Sequence, residues 1–289
     1  MEPKDYLIIF TVVSLIFIVI YATYTIPAQI NLNATSYPRD LRVIISFIAY
    51  TLLTITAAAF IAFAYRTSRP LTGIGRKTME YFILALIFYM LGPLPMALGL
   101  GLFIILGSSY IAEVWYGLIY PSCLPVAMMF TCFAAYFMLK FGYFMSERRE
   151  PDLKNEIPLL VLIICFLAVS VHPYNWYGMI VPTGYPSWRL YTNSLLLIVN
   201  LIAIAQVAYF LLRKIRTETD PIRIARLKMV MLGFLALLGF FMCYAIDALA
   251  EQPYTVWMFL GYIFAILSPI LLYVGTAAPK WFISRIETK

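Results

Sequence analysis

The chain of 289 residues is strongly apolar: 63% of its residues are hydrophobic and 12% are charged, against about 25% charged in a typical soluble domain. So much apolar surface exceeds what one water-exposed core could bury, so we expect lipid to be the solvent for most of the chain. The net charge of +7 does not indicate nucleic-acid binding, because the basic residues lie in short loops between apolar runs. Composition therefore excludes an ordinary soluble domain.

Eight apolar runs are long enough to cross about 30 Å of hydrocarbon as helices. Each run is expected to be helical, because lipid offers backbone N–H and C=O groups no partner. The predicted fold is an all-α polytopic membrane helix bundle, with one N-terminal anchor helix and a seven-helix-like core in a single transmembrane domain over 1–289. The predicted spans are 6–25, 43–65, 81–107, 118–144, 158–171, 189–212, 229–249 and 256–279.

Lysine and arginine are unevenly distributed between the two sides that these spans define. Of the 21 such residues, all but Arg39, Arg42 and Arg189 fall on one side. Cytoplasmic loops are enriched in these residues, so the pattern predicts a plasma-membrane protein with both termini in the cytoplasm. The pattern also favours a complete fifth crossing, although the run 158–171 would span only about 21 Å. Lys140, one turn from the predicted inner boundary, is expected to extend its amine towards water.

The third predicted span contains Gly92, Pro93 and Pro95 near its middle. Each proline removes a backbone N–H donor, so we expect the helix to break or kink there. Pro269 lies in the middle of the last span and invites the same interpretation. Broken helices at mid-membrane line substrate sites in some transporters, whereas a kink that serves packing alone is the alternative.

A polar stripe is predicted on the sixth span. At 100° per residue, Arg189, Asn193 and Asn200 lie within about 60° of one another on one helix face. Such groups are costly in a membrane unless they are paired, so the stripe is expected to face the bundle interior. Candidate partners are Asp247, Glu113 and Glu251. The stripe indicates either a ligand pocket or a structural hydrogen-bond network between helices.

Cys123, His172 and Arg189 are all predicted at the outer membrane boundary. A cysteine nucleophile, a histidine base and an arginine for the oxyanion form a chemically coherent set. The set resembles that of the archaeosortase and exosortase membrane transpeptidases, which implies an outward-facing cysteine transpeptidase. The chain departs from that family because no glycine follows Cys123 and the order is cysteine, histidine, arginine. An aromatic-belt role at the membrane interface is the other interpretation of His172.

The sequence contains no motif for a metal or cofactor site. The four cysteines have no CxxC spacing, one histidine cannot supply a bis-histidine haem, and HExxH, P-loop and GxSxG patterns are missing. We therefore expect no metal ion and no cofactor. Asn33 begins the only glycosylation sequon, which falls in the first predicted outer loop.

The last seven spans, with their basic inner loops RTSRPLTGIGRK and RKIRTETDPIRIARLK, resemble the seven-helix N-terminal sensor region of membrane histidine kinases. The resemblance implies a sensor. Because the sequence after Pro279 is KWFISRIETK, signalling would pass through a separate membrane or cytoplasmic protein. We expect a non-enzymatic sensor, or an accessory or scaffold subunit of a membrane complex. A small-solute transporter or channel is the alternative, and the transpeptidase is a second one.

Overall fold

A computed structural model of the protein describes residues 2–25, 35–36, 41–114, 124–175, 179–180, 188–249 and 255–287. Within these ranges, eight helical spans are long and apolar enough to cross a membrane, which confirms the predicted all-α polytopic bundle. The helices are α1 (Pro3–Ile20), α2 (Leu41–Ser68), α3 (Gly73–Leu91), α4 (Pro93–Val114), α5 (Leu124–Glu147), α6 (Leu153–Ser170), α7 (Arg189–Thr217), α8 (Pro221–Ala248), α9 (Val256–Ala277) and α10 (Lys280–Glu287).

Two small elements accompany these helices. A π-helical turn at Tyr21–Thr25 follows α1. The two-residue strands β1 (Thr35–Ser36) and β2 (Met179–Ile180) pair antiparallel, with Thr35 opposite Ile180. This pairing joins the segment after α1 to the segment before α7.

Capping residues and prolines mark the points where one helix ends and the next begins. Asp220 caps α8 by accepting a hydrogen bond from the Ile222 N–H at 3.0 Å, and Pro221 occupies the first helical position, where its missing N–H costs nothing. At the end of α9, Ala278 adopts a left-handed conformation with φ of 45°, and Pro279 prevents continuation of the helix.

The fifth span is longer than the sequence pattern suggested. α6 begins at Leu153 and has 18 residues, about 27 Å at the usual helical rise. Pro158 lies inside the helix rather than at its start. Its missing N–H leaves only the Lys154 carbonyl without its usual partner, close to the exposed end of the helix. The first turns of α6 contain polar residues, so the apolar pattern of the sequence did not indicate that the helix begins at Leu153.

α5 forms the centre of the bundle. In its span 89% of the residues are buried, against 22% for α1, so α5 is surrounded by protein and α1 is peripheral. α1, α3, α4, α6 and α7 all pack against α5, while α8 packs against α7 and α9, and α2 packs against α3, α4 and α9. Large apolar side chains such as Ile8, Ile105 and Ile164 point outwards, as expected for a surface solvated by lipid.

The α2–α3, α5–α6 and α7–α8 connections lie at one end of the bundle, which we call the basic end. Lys77 Nζ at the start of α3 lies 3.9 Å from Glu2 Oε1, so the start of α1 is at this end. The Arg226 guanidinium at the start of α8 donates to the Thr276 carbonyl at 2.7 Å, so the end of α9 is there too. That the basic end faces the cytoplasm remains a prediction from the charge distribution.

Candidate functional site: an apolar cavity at the break in the third span

The third span is divided at Gly92, since α3 ends at Leu91 and α4 begins at Pro93. The Gly92 N–H still donates to the Phe88 carbonyl at 3.2 Å. Pro93 and Pro95 lack the N–H groups that would otherwise bind the carbonyls of Tyr89 and Leu91. A Cβ atom at Gly92 would lie 3.1 Å from Thr131 Oγ1, so glycine allows the break to pack directly against α5.

A cavity lies beside this break, and six of the eight spans contribute residues to its wall. Its volume is about 70 Å³, whereas one water needs roughly 10–15 Å³. The cavity can therefore hold several waters or a small organic molecule. Its lining residues are Tyr50, Leu53, Tyr89, Gly92, Pro93, Met96, Leu124, Ala127, Met128, Thr131, Leu196, Phe240, Phe241, Tyr244, Met258 and Ala265.

A hydrogen bond at the cavity wall connects the third span to the last span. The Tyr89 hydroxyl donates to the Ala265 carbonyl at 2.8 Å. Ala265 lies four residues before Pro269, which has no N–H to offer it within α9. Tyr89, in the last turn before the break, therefore satisfies the carbonyl that Pro269 leaves unpaired. The predicted irregularities of the third and last spans meet at this point.

Other hydroxyl groups of the wall also bind protein atoms. The Thr131 hydroxyl donates to the Ala127 carbonyl of its own helix at 2.9 Å. The Tyr244 hydroxyl donates to Asn193 Oδ1 at 3.0 Å and so links α8 to α7. The described lining residues include no acid, no base and no cysteine. This wall can enclose an apolar molecule, with hydroxyl groups as its polar side-chain groups.

Asn193 and Asn200 of the predicted polar stripe lie inside the bundle, and neither lines the cavity. Asn193 and Asn200 are both buried, and Asn200 Nδ2 donates to the Leu196 carbonyl one turn earlier at 2.8 Å. Asp247 Oδ1 accepts hydrogen bonds from the Thr255 N–H and hydroxyl at 2.6 and 2.7 Å. Asp247 therefore links the end of α8 to the start of α9. The side chains of Glu113, Arg189 and Glu251 are outside the described part of the chain.

His172 lies just beyond the end of α6, against the start of α7. Its ring stacks on Trp188 with centroids 3.8 Å apart and an interplanar angle of 10°. Nδ1 accepts a hydrogen bond from the Tyr174 N–H at 3.2 Å, and burial lowers the pKa of His172 below its usual value. Cys123 and Asn33 lie outside the described residues, so the set of Cys123, His172 and Arg189 stays a prediction.

A buried ion pair at the basic end was not found by sequence reasoning. Lys140 Nζ lies 2.8 Å from Glu156 Oε1, and Lys140 has no exposed surface. The expectation that Lys140 reaches water is therefore wrong. The Tyr136 hydroxyl donates to Glu156 Oε2 at 2.6 Å, and Lys140 Nζ donates to the Tyr6 hydroxyl at 3.0 Å. These four residues join α1, α5 and α6.

Aromatic rings complete the surroundings of the buried amine. Lys140 Nζ lies 4.4, 5.6 and 5.4 Å from the ring centroids of Tyr6, Tyr81 and Tyr136, distances at which a ring face attracts a cation. The sequence signal for this buried ion pair was Lys140, which lies inside an apolar run one helical turn after Tyr136. Its partner could not be identified, because Glu156 lies before the predicted start of the fifth span.

Among the residues that the structure describes, no three histidine, cysteine, aspartate or glutamate side chains are grouped so as to hold a metal ion. Comparisons of the chain with models of protein families, with curated proteins and with solved structures found no match. The function must therefore be argued from the cavity and the charged residues themselves.

Replacing His172 should reduce the dependence of stability on pH. Its lowered folded-state pKa means that the unfolded chain takes up the proton first as the pH falls below about 6.5. The stabilisation is therefore complete above that pH and is lost as the pH falls through the folded-state pKa. We expect the unfolding temperature of the wild type to fall more than that of His172→Phe, which keeps the stacking on Trp188, between about pH 8 and about pH 5. Equal slopes would contradict the assignment.

Neutralising Glu156 should destabilise the protein strongly. Glu156→Gln leaves the Lys140 cation buried without its counter-ion, which costs about 3–5 kcal/mol of unfolding free energy. The double variant Lys140→Met/Glu156→Gln removes both charges and should recover part of that loss. Unfolding in mixed micelles measures both effects.

Asp152→Asn is the control, because it breaks the exposed Arg149–Asp152 pair at 3.4 Å and should cost less than about 1 kcal/mol. Additive effects of the Lys140 and Glu156 substitutions would argue against the buried pair.

Proposed function

We propose that this protein is a non-enzymatic, multi-span membrane sensor whose cavity at the third-span break binds a small, largely apolar molecule. The observation that carries the proposal is the cavity itself. It lies inside the bundle, six of the eight spans contribute to its wall, and most of that wall is aromatic, aliphatic or methionine side chain. Pockets with this composition favour apolar ligands that a few hydroxyl groups orient.

The chemistry of the wall supports binding rather than reaction. Tyr89, Thr131 and Tyr244 direct their hydroxyl groups at protein acceptors, and Met96, Met128 and Met258 supply flexible side chains that adapt to a ligand's shape. A transporter or channel, which a broken span also suits, needs a hydrated path across the bundle. The mostly apolar wall favours a sensor over that alternative.

The position of the cavity offers a way to convert binding into a change of shape. A helix interrupted by Gly92 and two prolines bends at lower cost than an intact helix. A ligand that fits one bend angle better than another shifts the population towards that angle. We further propose that the basic end faces the cytoplasm of the plasma membrane and that a separate membrane or cytoplasmic protein responds there.

Filling the cavity should abolish ligand binding. We expect benzene, used as a small apolar probe, to shift the methyl NMR signals of Met96, Met128 and Met258 in protein labelled at methionine. Ala127→Leu should remove these shifts, because its larger side chain occupies the cavity. Ala59→Leu is the matched control, since Ala59 is exposed on the outer surface and its substitution leaves the cavity open.

The same experiment contains an internal reference in Met138, which is buried elsewhere in the core. Shifts of Met138 equal to those of the three cavity methionines would indicate general partitioning of benzene into the bundle and would contradict a specific site. Unchanged shifts in Ala127→Leu would contradict it as well.

A sensor of this type should have a partner. We expect purification of the native protein in a mild detergent, followed by mass spectrometry, to recover one specific companion. The recovered amount should change at least about threefold in Ala127→Leu, while Ala59→Leu behaves like the wild type, because binding and signalling share a coupling free energy. Isolation of the chain alone, also after cross-linking in membranes, would argue against signalling through a separate protein.

A further inference from the structure

Two cavities open at the basic end, and Arg148 and Arg223 line both of them. The larger, of about 650 Å³, lies between the starts of α3 and α8 and the end of α5. The smaller, of about 280 Å³, lies between the ends of α5 and α7 and the start of α8. Because they share two arginines, we describe them together as the arginine cleft. Its cations are Arg148, Arg213, Lys214, Arg223 and Arg226.

Only some of these cations are neutralised by the protein. Glu218 lies 2.6 Å from Arg223 Nη1 and 3.7 Å from Lys214 Nζ. Arg226 donates to the carbonyls of Gly275 and Thr276 at the end of α9. In the part of the chain that the structure describes, neither Arg148 nor Arg213 lies within 4.0 Å of a carboxylate oxygen. The acids Asp220 and Glu147 also line the cleft. Neither forms an ion pair with Arg148 or Arg213, so these two guanidinium groups remain free to bind an anion.

The preference of membrane proteins for basic residues at one end explains the sign of this charge, but not its arrangement around a cavity. Guanidinium groups bind phosphate with paired, charge-assisted hydrogen bonds. The hydroxyl-bearing residues Thr72 and Thr217 lie on the wall of the cleft. A cavity of about 650 Å³ also has room for the group to which a phosphate is attached.

The neighbouring helix α10 indicates that the cleft lies close to a membrane surface. α10 packs against α8, and Trp281 is 56% exposed between Lys280 and the apolar Phe282. Short helices with this mixture of aromatic and basic residues lie along the lipid headgroups, and basic pockets between spans bind anionic headgroups. We propose that the arginine cleft binds a phosphate group, carried either by an anionic membrane lipid or by a soluble phosphorylated molecule.

The test compares two adjacent arginines that differ in their relation to the cleft. Arg148→Gln removes a cation that lines both cavities and that pairs with no carboxylate among the described residues. Arg149→Gln removes the same charge from the exposed neighbour that pairs with Asp152. The full chain is placed in nanodiscs of phosphatidylcholine, with or without phosphatidylglycerol. Native mass spectrometry measures retained phosphatidylglycerol, and calorimetry with pyrophosphate in the neutral discs measures a soluble ligand.

We expect Arg148→Gln to weaken binding about tenfold, since it removes a charge-assisted contact, and Arg149→Gln to leave binding within about twofold of the wild type. A selective loss of phosphatidylglycerol identifies a lipid headgroup, and a selective loss of pyrophosphate affinity identifies a soluble phosphate. Equal effects of the two substitutions would show a diffuse surface field and overturn the proposal. Failure of both anions to bind would overturn it too.

Circular dichroism and thermal unfolding show whether each variant is folded. If Arg148→Gln is unstable, Arg213→Gln tests the same cleft from α7, again with Arg149→Gln as the control. The benzene experiment on the cavity does not involve these residues, so failure of one proposal leaves the other unaffected.

Discussion

The organisation of this protein depends on one constraint: inside hydrocarbon, backbone polar groups and charged side chains must find their partners within the protein. Lys140 and Glu156 satisfy each other, and Tyr136 and Tyr6 occupy remaining hydrogen-bonding positions of the pair. An isolated charge at this depth would cost several kcal/mol, so the four residues are stable only together. These residues come from α1, α5 and α6. The need to pair the buried Lys140 therefore holds α1 and α6 in register with the central helix α5.

The same constraint explains how two irregular spans come to lie side by side. Pro269 leaves the carbonyl of Ala265 without an N–H partner inside α9, and the Tyr89 hydroxyl from α3 supplies the missing donor. The tyrosine stands one turn before the break at Gly92, where the chain already departs from an ideal helix. Irregular helices pack less uniformly than straight ones, and the cavity lies where these two irregularities meet.

Features that depend on residues adjacent in sequence could be predicted, whereas features that depend on contacts between distant residues could not. The spans and the break at Gly92 could be predicted, because hydropathy and proline act on the residues next to them. The start of α6 could not be predicted, because Glu156 is a charged residue typical of loops. Only its contact with the buried Lys140 explains its place inside the helix. The cavity could not be predicted either. Tyr50, Tyr89 and Tyr244 come from three spans, and their meeting depends on long-range packing that no local pattern records.

The cavity and the arginine cleft are separate sites, but α3, α5, α7, α8 and α9 contribute lining residues to both. α8 contributes Phe240 and Tyr244 to the cavity and Arg223 and Arg226 to the cleft, and Arg226 and Phe240 are about 21 Å apart along the helix axis.

α8 is closely fastened to α9, because a Cβ atom at Gly275 would lie only 2.7 Å from the Arg226 carbonyl oxygen. A ligand that displaced α8 at the cavity would therefore move Arg223 and Arg226 of the cleft with it. By thermodynamic linkage, any such effect is reciprocal: an anion that holds the cleft in one arrangement changes the affinity of the cavity by the same factor.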